Sequence, residues 1–515
     1  MDVVIAPAGD AWEVALVGDD GPRDRRAVDD LPAAVAALEP ERVRWVWQDS
    51  ARVVPVLLAA GVAVERARDL RLCHRILADA GRMPLDARWT RRLRAPDGAL
   101  FSLDEAPEPV DALVDELARQ EAAVAGDASL GMLLAAESTG ALVAEELLHV
   151  GLPWSAREHD RLLTDALGPR PSAGRPARLQ ALADEVDAAL GQHVAIDSPP
   201  ELLRALRSAG LDVRSTSRWE LQELDHPVVA PLTAYKRLYR LWTANGWQWA
   251  DDWVQDGRFH AEYVPAGVVT GRWATAGGGA MQIAKQVRGA VVADPGWRLV
   301  VADAAQLEPR VLAAMARDEA LAGAAVGDLY EGLVASGVAE SRPRAKVAML
   351  GALYGATSGD SGRLVPALRR AYPAAMRVVD DAAATGERGG LVRTWLGRTS
   401  PPMPAASAGL SDRDAVSRER GWGRFTRNFV VQGSAAEWAL CWMALLRRSL
   451  RAGGGELVYF LHDEVIVHAP AERADAVADE IRAAAAGAGR MLFGTFPIAF
   501  PVEARIACDY ASAEG

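Results

Sequence analysis

Two carboxylates interrupt an apolar stretch near the end of the chain. Residues 456–470 read ELVYFLHDEVIVHAP, with Asp463 and Glu464 between two runs suited to buried strands. Charged side chains are rarely buried unless they are paired or bound to a metal. The alternation on either side, together with the glycines at 453–455, predicts a hairpin with both acids at its tight turn. Taken alone, the triplet HDE at 462–464 is as typical of a solvated turn.

A second acid follows another apolar pattern. In RLVVADAAQLEPR, residues 299–302 predict a strand that runs directly into Asp303 and then into a helical pattern. Ligand sites favour the carboxyl ends of strands, although Asp303 could equally cap the helix. Paired with Asp463, it fits two-magnesium chemistry, in which the ions activate a 3′-hydroxyl and stabilise a leaving pyrophosphate.

One face of a predicted helix carries a basic and aromatic row at four-residue spacing: Arg342, Lys346, Leu350 and Tyr354. Adjacent like charges on a helix are unfavourable by about 0.2–0.5 kcal/mol. A polyanion bound across the face would reverse that sign, and Tyr354 could stack on a base. The alternative is a solvated basic face with a half-buried tyrosine.

These motifs are embedded in a chain whose patterns change along its length. Residues 1–125 alternate short apolar runs with helical stretches, which is typical of an α/β domain. Residues 126–245 are almost wholly helical in pattern. Strand patterns then return, followed by a long helical segment over about 306–385, a Gly/Pro/Ser-rich connection, and a further helix over 431–450 before the hairpin.

The bulk composition sets limits on partners and location. At 515 residues, two to four domains are expected, and a net charge of −12 argues against a surface coated in basic residues, although not against a local basic groove. The three cysteines, Cys73, Cys441 and Cys508, are far apart and suit reduced thiols. No export signal or window of about 18 apolar residues is evident. We therefore expect a cytoplasmic (nucleoid) protein without membrane contact.

Five segments occur together in a distinctive order: TGRWAT (270–275), DAAQLEPR (303–310), RPRAKVAMLGALYG (342–355), NFVVQGSAAE (428–437) and LHDEV (461–465). In order and approximate spacing they resemble the motifs of family A DNA polymerases, the bacterial DNA polymerase I type. The resemblance extends upstream through IDSPPELLRALRSAGL (196–211).

The resemblance implies a multidomain α/β fold with a right-hand polymerase of palm, fingers and thumb. The sequence resembles a Klenow-like chain, which lacks the 5′ nuclease domain. The implied domains are a degenerate DnaQ/RNase H-like 3′–5′ exonuclease domain (1–125), the thumb (126–261), the palm (262–320 and 421–515) and the fingers (321–420).

The resemblance also implies a role for each motif residue. Asp303 and Asp463, with the backbone carbonyl of Ala304, would bind two Mg²⁺ ions, with Mn²⁺ as an alternative, and Glu464 would be a supporting carboxylate. Arg342 and Lys346 would contact the dNTP triphosphate, Lys346 also as a catalytic group. The other implied nucleotide contacts are Gln306, Glu308 as the acid that blocks a ribose 2′-hydroxyl, Leu350 and Tyr354. The implied contacts to primer-template DNA are Lys236, Arg272, Arg424, Asn428, Gln432 and His462.

Several positions depart from the family pattern. Ala304 and Ala305 stand where Tyr and Ser usually follow the first aspartate, and Pro343 replaces the second Arg of a common pair. Leu350 stands where a Phe or Tyr normally contacts the sugar, so sugar discrimination and fidelity are expected to differ. None of these changes removes a predicted metal ligand.

The N-terminal region lacks the chemistry of a proofreading exonuclease. That activity needs four acids, beginning with Asp-x-Glu on the first strand, but the first strand here reads VVIAPAGDAWEV. Asp49 and Asp104 are the remaining candidates. We expect an inactive platform that braces the thumb.

The sequence thus predicts a monomeric DNA-templated DNA polymerase, active in gap filling or repair. Two alternatives remain open: a catalytically weak DNA-binding scaffold, and a nuclease acting through the N-terminal domain.

Overall fold

The computed structural model describes residues 1–18, 21–90, 107–217, 220–221, 224–355, 359–405 and 411–514. Asp104 lies outside these residues. The chain forms two compact units, each built from several segments. The first comprises Met1–Gly151, Glu262–Gly277 and Gly296–Ile506, and the second comprises Leu152–Ala261, Gly278–Pro295 and Ala507–Gly515. The domain limits predicted from the sequence do not coincide with the borders of these two units, and they remain predictions.

The first unit begins with a five-stranded sheet, which agrees with the predicted α/β pattern. Its strands, in chain order, are Asp2–Ala8, Ala11–Gly18, Gly21–Val28, Arg44–Trp47 and Ala67–Asp69, and their spatial order is 3-2-1-4-5. The first three pair antiparallel, whereas the fourth and fifth pair in parallel. Val3, Ile5, Trp45 and Trp47 form part of the core on one face.

Helices pack around this sheet, and aspartates cap several of them. The helices are Leu31–Leu38, Ser50–Ala59, Leu70–Asp79, Ala87–Thr90, Val110–Val124 and Ala128–Val150. The carboxylates of Asp30, Asp49, Asp69 and Asp127 each accept a hydrogen bond from a backbone N–H in the first helical turn. Such caps satisfy N–H groups that have no partner inside the helix.

A four-stranded sheet, built from later segments of the chain, belongs to the same unit. Its strands are Glu456–Leu461, Glu464–Pro470, Trp297–Ala304 and Val502–Ala507, in that spatial order. The predicted hairpin is present, with antiparallel strands on both sides of a turn at His462 and Asp463. A separate two-stranded ribbon pairs Glu262–Val264 with Ala274–Gly277.

The remaining helices of this unit surround the sheet. They are Leu307–Ala316, Glu319–Ala324, Leu329–Ala335, Arg342–Tyr354, Gly359–Ala371, Pro373–Glu387, Asp412–Gly453 and Ala474–Phe493. The long helical segment predicted over about 306–385 is therefore a series of shorter helices. The helix predicted over 431–450 begins earlier, at Asp412, and has 42 residues.

Among the described residues, only the long helix Asp412–Gly453 has the length and composition of a membrane span. Its most apolar window is 78% buried within the protein. Trp438 and Trp442 on this helix are fully buried. Packing inside the fold therefore accounts for its apolar residues.

The second unit is mainly helical. Its helices are Ala156–Leu167, Ala177–Leu190, Pro199–Ser208, Val229–Asn245, Trp247–Trp253 and Tyr510–Glu514, and a small sheet joins Leu152–Pro153, Arg258–Phe259 and Val254–Gln255. Trp154, His159, Trp249 and Phe259 form a cluster of touching rings in its core.

Candidate active site

The structure brings the two predicted metal-binding aspartates together. Asp303 pairs with Glu464 in the register of the two central strands. The backbone N–H of Ala304 donates to the carbonyl of Asp463 at 2.9 Å, so the turn is bonded directly to the end of the strand. His462 has a left-handed φ of 58°, which closes the two-residue turn.

The electrostatics of this pair favour a cation. Burial raises the pKa of Asp463 to about 7, and the charge of Asp303 adds to the effect. Burial and the charge of Glu503 both raise the pKa of Asp303. Asp303 is exposed to solvent, so the neighbouring charge of Glu503 acts on it more effectively than burial does. The positive charge of Arg272 lowers the pKa of Asp463, but the pKa remains raised overall.

A divalent cation fits these residues. It would relieve the repulsion between Asp303 and Asp463, and carboxylate and carbonyl oxygens are the ligands that Mg²⁺ prefers. In the described ranges no group of three or more His, Cys, Asp or Glu side chains converges as a metal site. Mg²⁺ commonly uses one or two carboxylates and completes its shell with water and substrate phosphates. Two aspartates and the Ala304 carbonyl match that donor set.

Glu308 connects two of the sequence motifs. Arg272 of the TGRWAT segment forms an ion pair with it, and the Tyr354 hydroxyl donates to its Oε2 at 3.2 Å. Burial, followed by the charge of Glu308, raises the pKa of Tyr354, so its hydroxyl remains a donor at neutral pH. Three predicted site residues therefore form one connected group.

The basic helix Arg342–Tyr354 presents its two predicted cations differently. Arg342 donates to Asp328 Oδ2 through Nη2 at 2.7 Å and through Nε at 3.1 Å. Lys346 is exposed, and it has no ion-pair or hydrogen-bond partner among the described residues. Leu350 is half-buried on the same helix. The helix therefore offers one anchored and one open positive charge.

Three predicted DNA contacts share a face of the long helix. Arg424, Asn428 and Gln432 are spaced by four residues, and none of them is buried. The aliphatic part of Arg424 lies against Gly355, where the basic helix ends. His462 is exposed at the hairpin turn, and the partial desolvation of its ring, with the charge of Arg272, lowers its pKa.

Two predicted contact residues have side chains that are already engaged. Gln306 donates to Asp328 at 2.7 Å and accepts from the backbone N–H of Leu329 at 3.0 Å. Lys236 belongs to the second unit, where its ammonium donates to the carbonyl of Thr216. Burial lowers the pKa of Lys236.

Comparison with known proteins identifies the family. The family model described as DNA polymerase family A matches residues 172–511. The chain belongs to this family. The resemblance predicted from the five motifs is thereby confirmed.

Two bacterial relatives in family A have less than a third of their aligned residues in common with this chain. DNA polymerase I of Chloroflexus aurantiacus is 29% identical over 341 residues, which are 60% of this chain and 35% of that protein. The thermostable DNA polymerase I of Thermus aquaticus is 27% identical over 341 residues, 58% of this chain and 38% of that protein. The chain thus matches little more than a third of the length of these relatives.

A solved structure shares the fold of this family A chain. It is the POL domain of Pol1 from M. smegmatis in complex with DNA primer-template and dNTP, which superposes with a TM-score of 0.73 at 18% identity and covers 100% of this chain and 96% of that one. The fold is therefore a mixed α/β polymerase fold, as predicted.

Sequence reasoning missed three residues around the site. Glu503, on the edge strand Val502–Ala507, is close enough to Asp303 to raise its pKa. Asp328 and Tyr330 both contact Arg342. The alternation VEAR at 502–505 could have indicated an acid on a strand, and GDLYEG at 327–332 contains a capping aspartate before a helix.

The N-terminal aspartates have structural partners. Asp49 caps the helix Ser50–Ala59 and lies 3.5 Å from Arg71. Asp69 is buried and accepts from both the backbone N–H and the hydroxyl of Ser50, at 2.7 and 2.8 Å. Burial raises its pKa to about 7, and the charge of Asp49 contributes. These carboxylates stabilise helix starts in the described part of the region.

Proposed function

We propose that the chain is a DNA-templated DNA polymerase that joins dNTPs to the 3′-hydroxyl of a primer. The observation that carries the proposal is the placement of Asp303 beside Asp463 in a family A chain. A pair of accessible carboxylates that repel each other is stabilised when divalent cations bind between them.

Asp303, Asp463 and the Ala304 carbonyl would hold two Mg²⁺ ions, with Mn²⁺ as an alternative and Glu464 as a supporting carboxylate. When bound, these ions would activate the primer hydroxyl and stabilise the leaving pyrophosphate. The hairpin contributes rigidity, since the N–H of Ala304 and the carbonyl of Asp463 keep the two aspartates in register.

Arg342 and Lys346 would bind the triphosphate, where positive charge opposes the charge that develops during phosphoryl transfer. Tyr354 would stack near the templating base. Glu308, held by Arg272, would exclude a ribose 2′-hydroxyl. Gln306 would act on the nucleotide through its neighbours, because its amide is already bonded to Asp328.

Primer-template DNA would contact polar groups of the site that are exposed or half-buried: Arg272, Arg424, Asn428, Gln432 and His462. Lys236 would contact the duplex from the second unit. Because these contacts include phosphate neutralisation, binding should weaken steeply with salt.

The N-terminal region would be a degenerate exonuclease domain that acts as a platform. Arg447 of the long helix supports this role, since it pairs with Glu146 and donates to the carbonyls of Val64 and Glu65. We propose a cytoplasmic monomer that fills gaps or assists repair without proofreading.

Primer extension on a labelled primer-template with Mg²⁺ and dNTPs tests this function. Asp463→Ala should abolish extension, whereas Asp479→Ala, which removes an exposed acid paired with Arg482, should not change it. A lane without dNTPs should show no primer shortening. DNA binding without extension by the unaltered chain would favour a scaffold, and shortening that survives Asp463→Ala would favour a nuclease.

A further inference from the structure

Arg342 is anchored on two sides. Nε and Nη2 of its guanidinium both donate to Asp328 Oδ2, at 3.1 and 2.7 Å. The ring of Tyr330 lies under its guanidinium carbon, 5.5 Å from the ring centroid. An arginine held by a carboxylate and by an aromatic face has lost much of its rotamer freedom.

Asp328 is itself held in place. Its Oδ1 accepts from the backbone N–H of Glu331 at 2.9 Å, which caps the helix Leu329–Ala335. Its Oδ2 also accepts from Gln306 Nε2 at 2.7 Å. The hydrogen bond to Arg342 helps to keep the pKa of Asp328 below its usual range, although burial opposes that shift. Asp328 is therefore a fixed anion.

Gln306 links this anion to the end of the catalytic strand. Its Oε1 accepts from the backbone N–H of Leu329 at 3.0 Å and from Arg310 Nη2 at 3.1 Å. Arg310 is buried and also donates to the carbonyls of Ala305, Ala325 and Ala499, at 3.1, 2.8 and 3.0 Å. A continuous series of hydrogen bonds thus joins the segment after Asp303 to Arg342.

The anchoring leaves part of the guanidinium open. Arg342 has five N–H donors and uses two of them on Asp328, so three remain, including both on Nη1. The side chain is 47% exposed. Lys346 lies one helical turn further on and is also exposed. The open edge of Arg342 and the Lys346 ammonium therefore lie on one face, as a triphosphate would require.

We propose that Asp328 is a positioning residue for the nucleotide, which orients Arg342 through its carboxylate while leaving the open edge of the guanidinium for the triphosphate. This inference rests on the proposed function. Because Arg342 is ordered before the nucleotide arrives, less conformational entropy is lost on binding. The direction in which nucleotide affinity changes on loss of the Asp328 charge distinguishes positioning from simple repulsion. Removing a negative charge near a triphosphate should tighten binding on Coulombic grounds alone, whereas loss of positioning should weaken it.

Nucleotide affinity tests this role. The probe is a correct dNTP bound in the presence of Mg²⁺ to the protein loaded with a dideoxy-terminated primer-template. Asp328→Asn retains an oxygen for the Glu331 N–H, and so preserves the helix cap. It should raise the dNTP Kd about three- to tenfold, as expected for an arginine that must be ordered on binding. Primer-template affinity should be unchanged.

A double-mutant cycle separates positioning from a structural role. In an Arg342→Ala background, Asp328→Asn should not weaken dNTP binding further, because only the Coulombic effect of removing the charge remains. Glu340→Gln is the matched control, because Glu340 pairs with Arg344 on the same helix and carries the same charge. It should leave the Kd unchanged.

Each other outcome contradicts the inference. Tighter dNTP binding by Asp328→Asn would show that Asp328 competes for Arg342, and equal weakening with and without Arg342 would show a purely structural role. An unaltered chain that binds no dNTP would overturn the proposed function, and this inference with it. Nucleotide binding that Asp328→Asn leaves unchanged would overturn only the positioning role.

Discussion

Arg398 and Glu137 form an ion pair inside the protein, although they are distant in sequence. Their side chains are 9% and 0% exposed. The guanidinium also lies against Gly271 of the TGRWAT segment, where a Cβ atom would stand 2.6 Å from Arg398 Nε. The pair therefore joins the helix Ala128–Val150 to the segment that contains Arg272.

Removing one partner of this pair should be strongly destabilising, because a buried carboxylate would be left without its counter-charge. We expect Arg398→Met to lower the free energy of unfolding by about 3–5 kcal/mol. Arg75→Met, which breaks the exposed pair with Asp79, should lower it by no more than about 1 kcal/mol. Urea unfolding of both variants measures the difference, and similar losses would contradict the structural role of the buried pair.

Two glycines of the long helix should respond in opposite ways to alanine. A Cβ atom at Gly433 would collide with the Thr394 methyl group and stand 3.1 Å from the carbonyl oxygen of Thr270, whereas at Gly421 the nearest atom is a terminal Arg424 nitrogen at 3.7 Å. We expect Gly421→Ala to stabilise the helix by about 0.5–1 kcal/mol. Gly433→Ala should destabilise the protein by about 1–3 kcal/mol. Thermal unfolding of the two variants compares them directly, and stabilisation by both would show that the close approach at Gly433 is easily relaxed.

Stability should also depend on the protonation of Glu437. Burial raises its pKa from 4.5 to about 7, although the Thr394 hydroxyl and the Leu396 N–H donate to its carboxylate. Between these two pH values the folded state keeps a proton that the unfolded state has lost. The contribution to stability is therefore full below about pH 4.5 and declines as the pH rises through about 7.

Glu437→Gln should remove this dependence, because an amide does not titrate. From pH 4.5 to pH 7, the unaltered chain should lose about 3 kcal/mol of unfolding free energy relative to the variant. Urea unfolding at several pH values measures it. A difference that stays constant with pH would contradict the raised pKa.

Local patterns were sufficient to predict the strands that carry Asp303 and Asp463. Asp303 follows four apolar residues, and Asp463 interrupts an alternating hairpin, so each strand could be identified from its own segment. The long helix was predicted too short because residues 412–425 are polar and arginine-rich, without the apolar spacing that marks a buried helix. The break of the segment over 306–385 into several helices depends on caps such as Asp318 and Asp328, which are single residues within a helical pattern.

Contacts between distant segments could not be predicted from these patterns. The pairing of Arg272 with Glu308 depends on the packing of a ribbon against a helix, and the pairing of Arg342 with Asp328 depends on the angle between two short helices. Motif resemblance identified three of these four residues without indicating that they are paired. Glu503 was missed because its strand becomes part of the site only when it pairs with the strand of Asp303.

Glu308 has two partners, and their separate removal should distinguish which one positions it. On the proposed function, Glu308→Ala should reduce the preference for dNTP over rNTP at least about tenfold, because the acid that excludes a 2′-hydroxyl is lost. Tyr354→Phe removes the 3.2 Å hydrogen bond to Glu308, together with the hydroxyl's contact to Gln432, and leaves the Arg272 ion pair intact. It should leave the preference nearly unchanged and lower overall kcat/KM by no more than about a hundredfold, the upper value for a hydrogen bond to a charged group. Tyr372→Phe is the control, since its hydroxyl contacts Ser336 instead.

Single-nucleotide insertion kinetics with dNTP and rNTP measure the ratio of kcat/KM for the two nucleotides in each variant. If Tyr354→Phe reduced the preference as strongly as Glu308→Ala, the tyrosine hydroxyl, rather than Arg272, would be the group that holds Glu308 in position.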